Sequence, residues 1–572
     1  MSDISRASSG RDLDGTVRFF VPPSTAIHPS GIHGRTVRSD GMADILVRSK
    51  APTNHHRLCA YERPAAHHHT AALCMERFDL CVIGGGPAGY AAAMRGLDLG
   101  QRVLLIERDR VGGTGIYNGA LTSKTLWEIA QRVSSTNELM RTRGREPFRL
   151  TWDEVSKAMN EAAFERKYLY ACHMQLLASK QVVPGSGSFH HERGNARFLD
   201  PHTVLIERPE KAIRIQADHI VIATGSRPRT LPGIEVDERR ILTSDGIFSI
   251  DDFPKSVVII GAGVIGCEFA TIFSLLGNTR VHIIDRADRI LPMEDEDVSE
   301  LIARNMERKG VIIHRQAKLD RIAAVGEEVE YQLSYPNGKT ETVRVEKALL
   351  SVGRVPNVDS LGLEEAGVLI DPKTGNIKVD GTRTSNPHIH AVGDATGTNM
   401  LVNLGEMEGR HAVESIVGIS CPPLSYDNIS TIMFLDPEVA GVGLNEQECR
   451  KRGIAHRVAR VDYSCLARAI AMRRTKGFFK VIVSDDDEMR VLGMRAVGEH
   501  ASSAIQAVAM MMKLDIPVRE LAELVHPHPS ITEGVQECAR LLLGKSLFNP
   551  EVFADKLVLR AWRPCDPSSA AA

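Results

Sequence analysis

The chain has 572 residues, which is too long for a single hydrophobic core and predicts about three domains. Its 70 Lys and Arg residues nearly balance its 72 Asp and Glu residues, so the net charge of -2 gives no electrostatic reason to expect a nucleic acid or a membrane surface as partner. No apolar run reaches the roughly 18–20 residues that a membrane-spanning helix needs. The ten cysteines are scattered without a CxxC pair, which predicts no metal site and reduced thiols in a cytoplasmic protein.

Residues 1–74 differ in composition from the rest of the chain. They are rich in Arg, Ser, Gly, Pro and His and show no helical or strand period, so we expect a disordered leader. Early acidic residues, such as Asp12, argue against a mitochondrial presequence, and the lack of an apolar core excludes a secretory signal. A further hypothesis is that natural translation starts at Met75, directly before the first predicted strand.

From Phe78 onward the sequence predicts a strand, a glycine-rich turn, a helix and a second strand. The turn is Gly84-Gly-Gly86-Pro-Ala-Gly89, which is the GxGxxG pattern of a dinucleotide site. The first glycine makes the tight turn, the second lets the backbone approach a pyrophosphate, and the third allows close helix packing. Glu107 ends the next strand about 20 residues on, where an acid accepts ribose hydroxyls.

The same unit is repeated from Val257, which indicates an internal duplication. Its glycines are Gly261, Gly263 and Gly266, and Asp285 ends the following strand. An acid at this position favours the free 2′-hydroxyl of NAD, whereas Arg286 and Arg289 are close enough to pair with the 2′-phosphate of NADP. Alternatively, both arginines are solvated surface charges. The sequence therefore allows the use of both NAD and NADP but does not establish it.

These motifs resemble the flavoprotein disulfide reductase family, the class I pyridine nucleotide-disulfide oxidoreductases, over about residues 78–545. Further motifs in family order are Gly112-Gly113-Thr114 leading to Ser123-Lys124, Ala223-Thr224-Gly225, Ser351-Val-Gly-Arg354, Ala391-Val-Gly-Asp394, and His528-Pro529 with Glu533. The resemblance implies FAD at the first glycine motif, NAD(H) or NADP(H) at the second, and a homodimer. In family terms, Lys124 lies near flavin N5 and pairs with Glu268, and Asp394 binds the ribityl chain.

The resemblance also assigns binding residues and domains. The implied FAD-binding residues are Gly84, Gly86, Gly89, Glu107, Gly113, Thr114, Thr224, Gly225 and Asp394. Those for the nicotinamide nucleotide are Gly261, Gly263, Gly266, Asp285, Arg286 and Gly353. We expect an α/β fold of two Rossmann-like dinucleotide-binding domains plus a C-terminal α+β dimerisation domain. The predicted segments are a leader (1–74), the N-terminal portion of the FAD-binding domain (75–245), the NAD(P)-binding domain (246–360), the C-terminal portion of the FAD-binding domain (361–422), the interface domain (423–548) and a tail (549–572).

One departure from the family pattern bears on the chemistry. In the family, the active-site helix has the sequence motif GGTCxxxGCxPSK. In this chain, Gly115 and Ala120 occupy the two cysteine positions. Disulfide reduction needs one thiolate that attacks the substrate and a second that relays electrons. We therefore expect lipoamide and glutathione disulfide to be poor substrates. Cys267, on the helix of the second motif, is predicted to be a packing residue.

The relatives that have broken this disulfide are the soluble pyridine nucleotide transhydrogenases, whose interface domain carries an LARA stretch like Leu466-Ala-Arg-Ala469. Those relatives usually retain the first cysteine, which is Gly115 here, and usually lack the histidine present as His528. The primary prediction is an FAD-dependent NAD(P)⁺ transhydrogenase that moves hydride between NADPH and NAD through the flavin. The alternatives are an NAD(P)H dehydrogenase that reduces a quinone or dye, and a non-catalytic flavin-binding redox sensor.

The role of His528 stays open between two interpretations. In the reductases the matching histidine is an acid/base for the thiols, oriented by the glutamate that corresponds to Glu533. Without thiols, the pair either holds the dimer interface or delivers a proton to an acceptor such as a quinone.

Overall fold

The computed structural model describes residues 75–179 and 186–564 of the chain; the predicted leader and residues 565–572 lie outside the described residues. In chain order, the strands are β1 (Glu76–Ile83), β2 (Arg102–Glu107), β3 (Ser188–Arg193), β4 (Asn195–Phe198), β5 (Thr203–Glu207), β6 (Ala212–Ile222), β7 (Ser226–Pro228), β8 (Ile241–Thr243), β9 (Ser256–Ile260), β10 (Arg280–Ile284), β11 (Ile312–His314), β12 (Lys318–Val325), β13 (Glu328–Ser334), β14 (Thr340–Val345), β15 (Lys347–Leu350), β16 (Arg354–Pro356), β17 (Ile389–Ala391), β18 (Ser430–Met433), β19 (Val439–Gly443), β20 (His456–Asp462), β21 (Phe478–Ser484), β22 (Val491–Val497) and β23 (Leu557–Trp562). The helices are α1 (Pro87–Asp98), α2 (Gly113–Ile116), α3 (Ala120–Thr142), α4 (Trp152–Ser179), α5 (Val264–Leu276), α6 (Glu296–Arg308), α7 (Val402–Ile416), α8 (Glu446–Lys451), α9 (Ala467–Ala471), α10 (Ala501–Lys513), α11 (Val518–Glu523) and α12 (Glu533–Leu542).

The first sheet has the strand order β3-β2-β1-β6-β5-β4, and β17 also pairs with β6. Strand β1 runs parallel to both of its neighbours, with Ile83 opposite Ile106 and Ile222. Because parallel strands end at the same edge, the turn after β1 lies beside the ends of β2 and β6. The pairing of β17 with β6 returns the chain after residue 361 to this sheet.

The second sheet repeats this arrangement with the order β11-β10-β9-β15-β8, and all of its strand pairs are parallel. Residues 257–260 of β9 are buried without alternation, as expected for a parallel sheet covered on both faces. Strand β8 belongs to this sheet because it pairs with β15, so the sheet begins at Ile241, before the predicted domain boundary at residue 246. An antiparallel sheet, β12-β13-β14, is inserted between β11 and β15.

The third sheet is antiparallel, with the order β18-β19-β22-β21-β20-β23. Its core is shared with α10, α11 and α12. Strand β23 pairs with β20 through Leu557, which is buried, so the sheet extends into the predicted tail at 549–572. Among the described helices, none combines the length and apolar character that a bilayer crossing requires.

Candidate dinucleotide and redox site

The turn after β1 has the geometry of a phosphate cradle. Gly84 has a φ of +108°, and a Cβ there would lie 2.3 Å from the carbonyl oxygen of Ala223. A Cβ at Gly89 would lie 1.9 Å from the carbonyl oxygen of Gly84, so the turn and α1 pack as closely as backbone allows. At Gly86, by contrast, a Cβ would meet nothing within 4 Å. This open space faces the N-terminus of α1, where a pyrophosphate is bound in such folds.

The second cradle reproduces the first in detail. A Cβ at Gly261 would lie 2.5 Å from the carbonyl oxygen of Ser351, and one at Gly266 would lie 2.0 Å from the carbonyl oxygen of Gly261. A Cβ at Gly263 would again enter open space. In each turn, therefore, close packing requires the first and third glycines of the motif, and the second glycine leaves space for a ligand.

The acids that end β2 and β10 are fixed in the same way. Glu107 accepts hydrogen bonds from the backbone N–H groups of Gly85, at 2.7 Å, and Asp109, at 2.8 Å. The Asp285 carboxylate accepts from Ala262, at 2.7 Å, and Ala287, at 2.8 Å. Each carboxylate is thus locked beside its glycine turn, in the position that a ribose-binding acid requires.

The other predicted FAD-binding residues gather around the first cradle. Thr224 is the second residue after β6, and its buried hydroxyl has no hydrogen-bond partner in the described part of the chain. Gly225 follows with a φ of +69°. A Cβ built on Gly113 would lie 3.4 Å from the Cα of Gly86, so the α2 turn borders the same space. Thr114 is exposed in α2. The unpaired Thr224 hydroxyl and the open space at Gly86 fit a bound dinucleotide.

The two arginines after Asp285 have different environments. Arg289 donates hydrogen bonds to the carbonyl oxygens of Pro292 and Glu294 and to the side chain of Gln447, so it ties the second domain to the interface domain. Arg286 is exposed. Of the two, Arg286 is the guanidinium left accessible to a 2′-phosphate. Gly353, with a φ of +101°, lies in the loop between β15 and β16.

Lys124 and Glu268 are brought together between α3 and α5. The Lys124 ammonium donates to the Glu268 carboxylate at 2.9 Å, and the other oxygen of that carboxylate accepts from the backbone N–H of Phe434 at 3.0 Å. The ammonium also lies 4.9 Å from the centre of the Phe434 ring, which Trp127 contacts edge-on. The Lys124 side chain is 30% exposed and that of Glu268 only 9%. The pair is therefore rigid at its acid end and open to a ligand at its ammonium end.

Sequence reasoning missed Phe434. It lies in the loop after β18, in the interface domain, and reaches the pair through contacts across 166 residues of chain. A lone phenylalanine after a strand carries no local motif, so no sequence signal pointed to it.

The two positions that hold cysteine in the family lie at the starts of two helices. Gly115 lies in α2, where a Cβ would approach the Pro87 side chain to 2.7 Å, and Ala120 is the first residue of α3. The cysteines of the described residues, which are Cys81, Cys172, Cys267, Cys421, Cys449, Cys465 and Cys538, are all free thiols. Burial raises the pKa of Cys267, whose thiol donates to the carbonyl oxygen of Ala262 at 3.4 Å. This is a packing thiol, as predicted, because a buried neutral thiol is a poor nucleophile.

His528 and Glu533 form a hydrogen-bonded pair in the interface domain. The His528 Nδ1 lies 2.8 Å from one Glu533 carboxylate oxygen, and the backbone N–H of Ser530 donates to the other at 2.8 Å. Burial opposes ionisation, but the hydrogen bonds from Ser530 and His528 hold the pKa of Glu533 below its ordinary value. The His528 side chain is 70% exposed, so its Nε2 edge points away from the chain's own core.

Asp394 is the middle residue of a short 3₁₀ turn, Gly393–Ala395, that follows β17. One of its carboxylate oxygens accepts a hydrogen bond from the Ser226 hydroxyl at 2.6 Å. The predicted site residues thus form a first cradle with Asp394, a second cradle with Asp285, the Lys124–Glu268 pair, and a separate His528–Glu533 pair.

The fold and both cradles define a protein that binds two dinucleotides. The chain belongs to the pyridine nucleotide-disulphide oxidoreductase family: the family model matches residues 78–409, and the model of its dimerisation domain matches residues 429–539. The family binds FAD and uses NAD(P)H, so FAD and a nicotinamide nucleotide are the cofactors of this chain. The dimerisation domain supports a homodimer.

Dihydrolipoyl dehydrogenases are among the curated relatives of this chain. The dihydrolipoyl dehydrogenase of Bacillus subtilis is 31% identical over 486 residues, covering 82% of this chain and 99% of that protein. The dihydrolipoyl dehydrogenase of Zymomonas mobilis is 32% identical over 480 residues, covering 82% and 99%.

Solved structures show the same architecture. LpdA from Mycobacterium tuberculosis superposes with a TM-score of 0.73 at 26% identity, covering 82% of this chain and 99% of that one. The HOCl-induced flavoprotein disulfide reductase RclA from Escherichia coli superposes with a TM-score of 0.71 at 26% identity, covering 81% and 100%.

Proposed function

We propose that this protein is an FAD-dependent NAD(P)⁺ transhydrogenase that moves hydride between NADPH and NAD without a redox-active disulfide. The observation that carries the proposal is the combination of two intact cradles with Gly115 and Ala120 at the cysteine positions. Hydride exchange between two nicotinamides through a flavin requires no thiol. The chain therefore keeps every component that this reaction needs and lacks the component that disulfide chemistry needs.

The residues of the first cradle hold FAD, which supplies the hydride-accepting and hydride-donating chemistry. Gly86 and the start of α1 receive its pyrophosphate, Glu107 its ribose, and Asp394 its ribityl chain. Lys124 presents a positive charge at the reactive ring, and Glu268 fixes that charge in place through its bonds to Lys124 and Phe434. A preorganised cation of this kind stabilises negative charge without reorganisation.

The second cradle serves both nicotinamide nucleotides in turn. Asp285 is held by two backbone N–H groups, which fits recognition of the free 2′-hydroxyl of NAD. Arg286 is exposed next to it and supplies a partner for the 2′-phosphate of NADP. Use of one cradle by both nucleotides implies alternate occupancy, so the donor leaves before the acceptor enters.

The test is purified, FAD-loaded protein given NADPH and a thio analogue of NAD, with quinone and lipoamide assayed in parallel. The proposal expects fast formation of the reduced thio analogue and no lipoamide turnover. Activity with quinone alone would replace it with a quinone reductase. Oxidised flavin that persists under anaerobic NADPH would instead indicate a non-catalytic redox sensor.

A second candidate, NAD(P)H-dependent quinone reduction, is favoured by one observation. The His528–Glu533 pair is intact and exposed, although the thiols that its counterpart serves are absent. Quinone reduction consumes protons, and a histidine side chain is a group that can deliver them.

A further inference from the structure

Ser226 links Asp394 to an arginine for which the proposed reaction has no role. The Ser226 hydroxyl donates to Asp394 Oδ2 at 2.6 Å and accepts from Nε of Arg354 at 2.7 Å. Nη2 of Arg354 also donates to the Ser226 carbonyl oxygen at 2.9 Å. A hydroxyl has a single donor hydrogen. Because Arg354 takes up the acceptor side of the Ser226 hydroxyl, that hydrogen is directed at Asp394.

Arg354 is itself held from its far side. Its Nη1 lies 3.9 Å from Asp245 Oδ1, which is close enough for an ion pair. The side chain of Arg354 is 11% exposed and Ser226 is 6% exposed. The contacts between Arg354 and Ser226 are therefore largely shielded from solvent.

We propose that Ser226 and Arg354 are positioning residues that orient Asp394 toward the ribityl hydroxyls of FAD. The inference rests on the proposed role of Asp394. With Oδ2 bonded to Ser226, Oδ1 has no hydrogen bond within the described part of the chain and is the acceptor left for a ligand hydroxyl. Charge-assisted hydrogen bonds of this kind are short and strongly directional.

A purely structural role for the same contacts is the competing explanation. Ser226 lies in β7 and Arg354 in β16, and these strands pair with each other, so the contacts also brace a small two-stranded sheet. The two explanations differ in one respect. If the contacts only stabilise the two-stranded sheet, their effect on FAD retention does not depend on Asp394. If Ser226 positions Asp394, its effect on FAD retention requires Asp394.

The experiment is a double-mutant cycle on FAD release from the holoenzyme, followed as the rise in free FAD fluorescence after dilution. We expect Ser226→Ala to speed release by about tenfold, the value of one hydrogen bond to a charged group. In the Asp394→Ala background, where the acceptor of the Ser226 hydroxyl is gone, Ser226→Ala should change the rate little, because coupled residues are not additive. Ser299→Ala is the matched control, since it removes another buried hydroxyl bond, to the Leu291 carbonyl oxygen, and should leave release unchanged.

Two further measurements complete the test. Arg354→Gln should act in the same direction as Ser226→Ala, and serves as the second variant if the serine variant does not fold. The visible circular dichroism of the bound flavin should change in both, because the ribityl chain sets the ring's orientation. Equal acceleration of release by Ser226→Ala with and without Asp394, or unchanged release in a folded Ser226→Ala protein, would overturn the proposal. No nicotinamide or acceptor is present, so failure of transhydrogenation leaves the result unaffected.

Discussion

The ammonium group of Lys124 lies 2.9 Å from the carboxylate of Glu268, although 144 residues separate them in the chain. Since Glu268 is nearly buried, the pair fixes a positive charge at the point where the proposed reaction needs it. We expect Lys124→Met to slow anaerobic flavin reduction by NADPH by about a hundredfold, the scale seen when one preorganised electrostatic group is removed. Stopped-flow absorbance measures this rate.

Glu268→Gln is the matched variant for that prediction. Glutamine can still accept from the Phe434 N–H but carries no charge, so we expect a smaller loss of rate with FAD retained. Lys157→Met, on the exposed face of α4, is the control and should leave the rate unchanged. Equal rates for Lys124→Met and the wild type would contradict the assigned role.

The two open glycines allow the cradles to be disabled one at a time. Gly86→Ala and Gly263→Ala each add a methyl group that meets nothing within 4 Å of the protein itself, so both should fold. Gly86→Ala should lose FAD, whereas Gly263→Ala should keep FAD and raise the KM for NADPH. Crowding a tight site costs about 1–3 kcal/mol, or roughly ten- to a hundredfold in affinity.

Each of these variants is the control for the other. The bound flavin per protomer, read from the visible absorbance, and the KM are measured on both. FAD loss from Gly263→Ala, or normal FAD content in Gly86→Ala, would reverse the assignment of the cradles.

The local features of this site are predictable from sequence, and the long-range ones are not. Two cradles could be predicted because consecutive glycines satisfy backbone demands that only glycine meets, and the acids follow at a fixed distance. The Lys124–Glu268 pair came from family resemblance. Phe434 and the bond from Ser226 to Asp394 depend on contacts across 166 and 168 residues, which leave no period in the sequence.

The same reason explains why two predicted domain boundaries differ from those in the structure. Strand β8 has only three residues, and its membership in the second sheet is defined by its partner, β15. Strand β23 lies in the segment predicted as a tail, yet it pairs with β20 at the sheet edge. Both assignments need the tertiary partner, which local propensity does not supply.

His528 distinguishes the two candidate activities. In a transhydrogenase, His528→Ala should leave the NADPH-dependent reduction of the thio analogue unchanged, because hydride exchange needs no added proton. If quinone reduction is a real activity, the same variant should lose about a hundredfold in that assay. Light scattering must show that the variant is still a dimer. A matching loss in the thio-analogue assay, in an intact dimer, would show that His528 serves hydride exchange itself.

A buried histidine pair predicts the response of stability to acid. The Nδ1 atom of His282 lies 3.1 Å from Nε2 of His314 and 3.1 Å from the hydroxyl oxygen of Tyr331. Arg280 and Glu341 are the charged side chains that act on His282. Burial, with the neighbouring His314, lowers the pKa of His282 to about 4. The unfolded chain binds this proton at about pH 6.5 and the folded chain does not. The stabilisation of the folded state that comes from keeping His282 neutral is therefore complete above about pH 6.5, and it is lost as the pH falls toward 4.

The measurement is urea unfolding at pH 7.5 and pH 5. Stability should fall with acid by an amount on the order of 1–3 kcal/mol from this group. His282→Gln should show a smaller fall between the same two pH values, even if it is less stable at pH 7.5. An identical pH dependence in the variant would show that other groups carry the effect.

The most direct test of the account is the steady-state oxidation of dihydrolipoamide, with NAD⁺ as the electron acceptor, by FAD-loaded protein whose flavin NADPH reduces in a separate assay. Electrons that pass only between nucleotide and flavin predict a rate no higher than that of free flavin. Sustained, enzyme-dependent oxidation of dihydrolipoamide would contradict the account, because it would require a sulfur relay that Gly115 and Ala120 cannot form.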